Sequence, residues 1–227
     1  MEETAVRLCE LMEIKKGAVA MIGGGGKTTL MYTLANELEA ENSVIVTTTT
    51  HIKPPDSMPV LLNPSEDDVV RMVSAGRAIC AGKLNDEKKL CPPDIAVSRL
   101  IGMADYVLIE ADGSKGLPMK AHESYEPVIP DEVNDVILVV GMTGIGKKVS
   151  EAAHRSRLYC QLALCSENDI ITPEIAAEVI NKEALHTKVF LNQIDAAAPG
   201  AAQKLARLIE GPVYSGALIE GEWECLC

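Results

Sequence analysis

The sequence predicts an α/β fold in which a mainly parallel sheet carries helices on both faces. Short apolar, β-branched runs alternate with helical patterns along the chain, as parallel strands joined by crossover helices require. Of the 227 residues, 47% are hydrophobic and 24% charged, enough for a buried core and against wholesale disorder. No internal repeat, low-complexity tract or linker divides the chain, so residues 1–227 are expected to form one domain.

Ala18–Ile22 is apolar throughout and reads as a first strand buried on both faces. Lys27–Ala40 puts Leu30, Leu34 and Leu38 on one helix face. Ser43–Thr48 and Val60–Leu62 are strand-like. Ser65 with Asp68 makes a capping-box start for a helix over Ser65–Ala75. A strand at Ala78–Ala81, a helix at Asp94–Gly102 and a strand at Tyr106–Ala111 follow. Asp112–Glu132, with three Pro, two Gly and weak periodicity, reads as a long loop of the kind that is often functional. Val136–Val140 is a strand and Glu151–Cys165 a helix. Thr172 before Pro173 caps a helix over Pro173–Ile180. The strand Lys188–Leu191, the helix Ala201–Ile209 and the strand Val213–Tyr214 complete the alternation.

A formal charge of −12 argues against nucleic acid as partner, because little would neutralise phosphates over a wide face. Local phosphate binding stays open, since a few backbone N–H groups and one Lys suffice for it. No apolar stretch approaches the ~18–20 residues of a membrane span. The acidic Glu2 and Glu3 are unlike a signal peptide, and seven irregularly spaced Cys fit a reduced cytoplasm. The expectation is a cytoplasmic chain with no membrane and no nucleic-acid partner.

The strongest motif is Met21-Ile-Gly-Gly-Gly-Gly-Lys-Thr-Thr29, between an apolar strand and an amphipathic helix. Glycines let backbone N–H groups converge on a phosphate, and the helix N-terminus adds partial positive charge. Gly23, Gly24, Gly25, Gly26, Lys27, Thr28 and Thr29 are therefore candidate nucleotide-binding residues. Lys27 would reach the β- and γ-phosphates and Thr28 would ligate Mg²⁺. The longer phosphate-loop pattern has Gly where Met21 stands. The shorter form Gly23-x-x-Gly26-Lys27-Thr28-Thr29 is intact and resembles loops of Mur-type ligases and dimer-forming P-loop NTPases. The alternative is a glycine-rich turn with an incidental Lys.

Asp105–Gly113 is an apolar run ending in Glu110, Asp112 and Gly113. A carboxylate at such a strand end holds Mg²⁺ in P-loop proteins, and a following Gly can sense the γ-phosphate. Strand alternation points Glu110 and Asp112 to one face, where they could share a cation. Lys27, Glu110 and Asp112 are the catalytic candidates; Thr28, Glu110 and Asp112 are the metal candidates. Asn192-Gln-Ile-Asp195 resembles the guanine-reading N-K-x-D of GTPases, with Gln193 in place of Lys. An Asp carboxylate can accept bonds from guanine that adenine cannot offer, so Asn192 and Asp195 are base-facing candidates and GTP is favoured over ATP. Twenty residues after Asp195, Ser215-Gly-Ala217 resembles the S-A-x segment that meets the guanine oxygen. These motifs follow nucleotide-site order, each at the carboxyl end of an expected strand.

Other residues carry weaker signals. Thr50 and His51 leave the second strand where related NTPases place a water or metal ligand, although Thr-rich strand ends are ordinary. Lys115 and Lys120 could bind an anionic substrate or lie solvated. Gly141–Lys147 resembles a second phosphate loop without the following Ser or Thr. His154 and Arg155 lie near a helix start and read as surface residues or ligand contacts. Cys225 and Cys227 form a C-x-C that is short of a full zinc site, and Cys80 and Cys91 read as small hydrophobes.

Residues 23–29, 46–52, 109–121, 126–130 and 191–195 together resemble the selenium-dependent hydroxylase accessory proteins of YqeC type, with 109–130 the most specific part. The resemblance implies a role in maturing selenium-dependent molybdenum hydroxylases, and a molybdenum hydroxylase or its cofactor-maturation proteins as partners. The expectation is therefore an Mg²⁺-dependent, metallochaperone-like P-loop NTPase acting as an accessory protein, with the Asp112–Glu132 loop moving on loss of the γ-phosphate. A small-molecule kinase or ATP-dependent ligase, and a non-hydrolysing nucleotide-dependent binding module, are the alternatives. A homodimer is open, since related NTPases assemble sites across two chains.

Overall fold

The computed structural model describes residues 6–226; Glu2, Glu3 and Cys227 lie outside the described residues. A short helix α1 (Leu8–Leu11) precedes the central strand β1 (Gly17–Gly23) and helix α2 (Lys27–Leu38). Then come β2 (Val44–Thr48), β3 (Val60–Leu62), α3 (Glu66–Val73), β4 (Ile79–Leu84), β5 (Leu90–Cys91), α4 (Val97–Ile101) and β6 (Tyr106–Glu110). The second half contributes β7 (Met119–Lys120), β8 (Val133–Gly141), α5 (Val149–Ala152), β9 (Ala153–His154), α6 (Ser156–Ala163) and α7 (Pro173–Glu183). It ends with β10 (Lys188–Asn192), α8 (Ala201–Ala206), β11 (Val213–Ala217) and β12 (Glu222–Cys225).

One sheet runs in the order β12-β11-β10-β8-β1-β6-β2-β4-β3, with β5 paired on β4. Every pairing along it is parallel except β11 with β12; β5 is also antiparallel to β4. The expected α/β architecture is therefore present, of the kind P-loop NTPases have. Strand β1 explains the layering. Val19 and Met21 pack on one face with Leu30, Met31 and Leu34 of α2, while Ala20 and Ile22 pack on the other with residues of α6, α7 and α8. Apolar side chains on both faces need cover on both faces, and each fully buried Leu of α2 gains about 1.5–3 kcal/mol from it. All five strands from β2 to β10 through the centre end at the edge that carries the glycine loop, the edge where open α/β sheets bind ligands.

The capping signals have their expected geometry. Ser65 and Asp68 exchange both capping-box bonds, and Thr172 accepts from the Ile175 N–H ahead of a helix that runs on to Glu183. Other expectations need correction. The helix expected over Glu151–Cys165 is broken: Ala153–His154 is extended and pairs in parallel with Met119–Lys120, and Arg155 turns left-handed at φ +61°. Tertiary pairing overrides helix preference here, because the buried 119–121 backbone needs partners; the Ala121 N–H donates to the His154 carbonyl at 3.2 Å. The helix expected from Asp94 starts only at Val97, as Asp94 turns to Lys83 at 2.6 Å instead of capping it. Strand β12 escapes the sequence pattern because Trp223 is the only large apolar side chain in its polar run.

No helix among the described residues is long and apolar enough to cross a membrane. Cys80 is fully buried in β4, and burial pushes its thiol up to about 12 from an ordinary 9.0. A folded value raised in this way stabilises the fold below pH 9.0, and that contribution is lost as pH rises toward about 12. Thiol labelling at about pH 8 is expected to spare Cys80 until denaturant is added; modification at native rates equal to those in denaturant would contradict its burial.

Candidate functional site

Glycine 25 and glycine 26 shape the loop that leaves β1. Gly25 has φ +78°, and a Cβ there would lie 2.3 Å from the Gly141 Cα; Gly26 has φ +131°, and its Cβ would meet the Asn192 amide at 2.3 Å. Only glycine permits both the left-handed backbone and the close approach. The loop thus bends tightly over the end of β8 and hands directly to α2, whose first residue is Lys27. The region resembling a second phosphate loop, Gly141–Lys147, supplies the packing surface for this bend. Its Gly141 N–H donates to the Pro118 carbonyl at 2.9 Å, and Met142–Gly144 forms a single 3₁₀ turn.

A cavity of about 750 Å³ opens over the loop, lined by Gly25, Gly26, Lys27, Thr28 and Thr29 and by Glu110. The Thr28 hydroxyl donates to Glu110 Oε2 at 2.6 Å. Parallel register sets Glu110 opposite Met21 of β1 and Thr48 of β2, two residues before the loop begins. Burial pushes the Glu110 carboxyl up from its ordinary range, and the nearby Lys27 only partly opposes that.

Glu110 and Asp112 both approach the Lys27 ammonium. It lies 4.0 Å from Glu110 and 3.2 Å from Asp112, and donates to the Gly23 carbonyl at 2.7 Å. Asp112 differs from Glu110 in its setting. It is fully buried and does not line the cavity, and Oδ2 faces the Gly23 N–H (2.9 Å), His122 Nε2 (2.7 Å) and Lys120 Nζ (3.0 Å). Burial alone would raise this carboxyl, but the His122 bond and the Lys27 and Lys120 cations outweigh it and hold Asp112 well below the usual range. This geometry makes Asp112 an anchor for the loop.

Behind Asp112 stands a network that motif reading missed. Lys120, expected as a solvated or ligand-binding cation, has a fully buried side chain bonded to Asp112, to Glu126 at 3.0 Å and to the Gly113 carbonyl at 2.7 Å. His122 sits between two carboxylates, with Nδ1 2.8 Å from Glu183 Oε2 on α7. Burial would lower its pKa, but Asp112 and Glu183 together raise it. Arg155 continues the chain to Glu126 and lies 5.2 Å from the Tyr125 ring centre, so it faces the network rather than the cavity. The stretch expected to move as one long loop, 112–132, is thus tied down at 112–126. The part lining the cavity is Gly113–Gly116, where Lys115 is exposed.

On the other side a second cavity of about 260 Å³ is lined by Gly26, Thr29, Thr143, Asn192, Gln193, Asp195 and the turn Ala217–Glu220. Asp195 is exposed and faces it from a 3₁₀ turn after β10. Asn192 lines it but spends its amide on the fold, donating to the Gly25 carbonyl at 2.8 Å and accepting from the Leu218 N–H at 3.2 Å. Ser215 departs from expectation. It lies inside β11 rather than in a loop after it, is fully buried, and bonds Glu224 at 3.3 Å. Gln193, the residue that breaks the GTPase pattern, accepts from the Thr143 hydroxyl at 2.7 Å and lines both cavities. An Asn192→Ala variant takes this partner from the half-buried Gly25 carbonyl and the buried Leu218 N–H and is expected to cost about 1–3 kcal/mol in urea unfolding; an unchanged midpoint would contradict the bridge.

Thr50 and His51 part company: Thr50 bonds Thr48 through its N–H at 2.9 Å, while exposed His51 lines the larger cavity. His154 is half-buried beside Lys120, outside both cavities. Cys91 is half-buried in β5. Among the described residues no group of three or more His, Cys, Asp or Glu side chains forms a metal cage.

A family model described as YqeC protein matches residues 19–157, which hold the glycine loop, the acidic end of β6 and the network out to Arg155. The chain is also 38% identical over 146 residues to "Uncharacterized protein YqeC" of Escherichia coli (strain K12). That match covers 60% of this chain, which spans 57% of the length of the relative. With more than half of its length matched, from the central strand to α6, the chain belongs to the YqeC protein family.

Proposed function

We propose that this protein binds a nucleoside triphosphate with Mg²⁺ on the loop Gly23–Thr29 and hydrolyses it, GTP in preference to ATP, in the maturation of selenium-dependent molybdenum hydroxylases. One observation carries the nucleotide part: Gly26, Thr29 and Gln193 line both cavities, so one ligand can lay its base against Asp195 and its phosphates on the loop. Backbone N–H groups and the start of α2 offer the phosphates partial positive charge, and Lys27 adds a full one. The Thr28 hydroxyl and the Glu110 carboxylate, 2.6 Å apart at the cavity wall, are hard oxygen donors that fit Mg²⁺, which takes few protein ligands beside phosphate oxygens. Bound there, Mg²⁺ would neutralise developing phosphate charge. Asp112 holds Gly23 and Lys27 in place, and Asn192 ties the loop to the base side.

The guanine preference rests on the exposed Asp195 carboxylate, which has no hydrogen-bond or ion-pair partner among the described residues. Asp195→Ala is expected to weaken GTP binding by about tenfold or more while leaving ATP within about twofold, since a lost bond to a charged group is worth about 1.5–3 kcal/mol. Titration of the purified protein with GTP, ATP and their diphosphates, with and without Mg²⁺, reads this out. A preference for adenine that the substitution leaves untouched would remove the GTP assignment. The client enzyme is supported by family likeness across 109–130. Metal and selenium analysis of a molybdenum hydroxylase from cells carrying wild-type or Lys27→Ala protein tests it; equal selenium content would count against the role.

A further inference from the structure

The larger cavity extends well past the phosphate loop, and the surplus lies on one side. Sheet order sets the direction. Asn192, Gln193 and Leu218 come from the ends of β10 and β11, on one side of β1; Glu110, His51 and Asn85–Lys89 come from the ends of β6, β2 and β4, on the other. A nucleotide with its base in the smaller cavity and its phosphates on the loop therefore ends with its γ-phosphate toward β6. Beyond that point the cavity continues between His51, Asn85, Glu87 and Lys89 on one wall and Ser114–Gly116 on the other. Its 750 Å³ is the size of a site for a whole small molecule, although the base has a separate pocket.

The outer wall is built rather than loose. Asn85 Oδ1 accepts from the N–H groups of Glu87 (3.0 Å) and Lys89 (2.9 Å), and the Asn85 N–H donates to the Lys89 carbonyl at 2.9 Å. Pairing of Leu90 with Ile52 then fixes this turn over the end of β2. The charge here runs against that of the chain, which is −12 overall. Lys115 has no ion-pair partner among the described residues, and Lys89 has only the exposed Glu87, 2.8 Å away. An exposed pair of that kind yields readily to a better anion.

We propose that this outer half of the cavity is a second-ligand subsite for a small anionic molecule, held by Lys89 and Lys115 with His51 beside it, next to the γ-phosphate position. The proposal rests on the nucleotide reading above. A linear nucleoside 5′-tetraphosphate tests it, because its fourth phosphate projects past the γ position toward the two lysines. Guanosine and adenosine 5′-tetraphosphates are compared with GTP and ATP in Mg²⁺-containing titrations of the wild-type protein and a Lys89→Ala/Lys115→Ala variant. The tetraphosphate is expected to bind at least about tenfold tighter than the matching triphosphate, the scale of a charge-assisted bond, and the ratio is expected to fall to near one in the variant. A wild-type ratio near one, or a raised ratio that the double substitution leaves intact, overturns the subsite while the nucleotide site stands. Failure of every nucleotide to bind the wild-type protein overturns both.

Discussion

Lys27→Ala is expected to weaken triphosphate binding by about a hundredfold or more, roughly 2.7 kcal/mol, and to abolish hydrolysis. The ammonium is the one full positive charge that the loop brings to the phosphates. It is 4% exposed and lies between Glu110 and Asp112, so its removal also leaves two buried carboxylates near each other. Breaking one partner out of a buried ionic group costs about 3–5 kcal/mol in general. The cost here is expected at the lower end, because Asp112 keeps Lys120 and His122. Urea unfolding beside the nucleotide titration separates the two effects. A folded variant that binds as tightly as wild type would contradict the role of Lys27.

Lys120→Met is expected to destabilise the fold by about 3–5 kcal/mol, the larger of the two stability effects. Its side chain is fully buried, and both Asp112 and Glu126 depend on it. Methionine fills the space without the charge, so the loss reports two carboxylates short of a cation rather than a cavity, Asp112 being left with Lys27 and His122 and Glu126 with Arg155. Adding Glu126→Gln removes one of them and is expected to recover part of the loss, a coupling that a double-mutant cycle measures. Asp112 orients Gly23 at the start of the loop, so surviving folded Lys120→Met protein is expected to bind nucleotide less tightly too. A loss under about 1 kcal/mol would mean that Lys120 finds solvent in the folded protein.

The legible parts of this molecule are those where local chemistry and position coincide. A glycine run between an apolar strand and an amphipathic helix has few uses, and the loop lies where the pattern puts it. Glu110 was legible as the polar end of a strand. Asp112 shares its sequence signal but not its role, because what distinguishes the two is the set of groups arriving from elsewhere. Glu183 reaches His122 across 61 residues of sequence, and no local pattern announces such a contact. Lys120 read as a ligand-binding or solvated cation for the same reason; Pro118 and the pairing of β7 with β9 bring it under the loop, and that pairing also breaks the helix expected at 151–165. Ser215 shows the opposite error: a motif matched in letters lies within the strand instead of beyond it, with its hydroxyl bonded to Glu224 and no part in lining the cavity. Asn192 lines the smaller cavity, but its one side-chain amide holds the walls together, donating to the Gly25 carbonyl and accepting from the Leu218 N–H.

The most direct test is a crystal structure grown with Mg²⁺ and a non-hydrolysable GTP analogue. The expected result has the phosphates on the backbone N–H groups of residues 24–28, Lys27 swung from Asp112 toward them, the ion beside Thr28 and Glu110, and the base against Asp195. A nucleotide bound elsewhere, or a loop that stays packed on itself at saturating analogue, would contradict it.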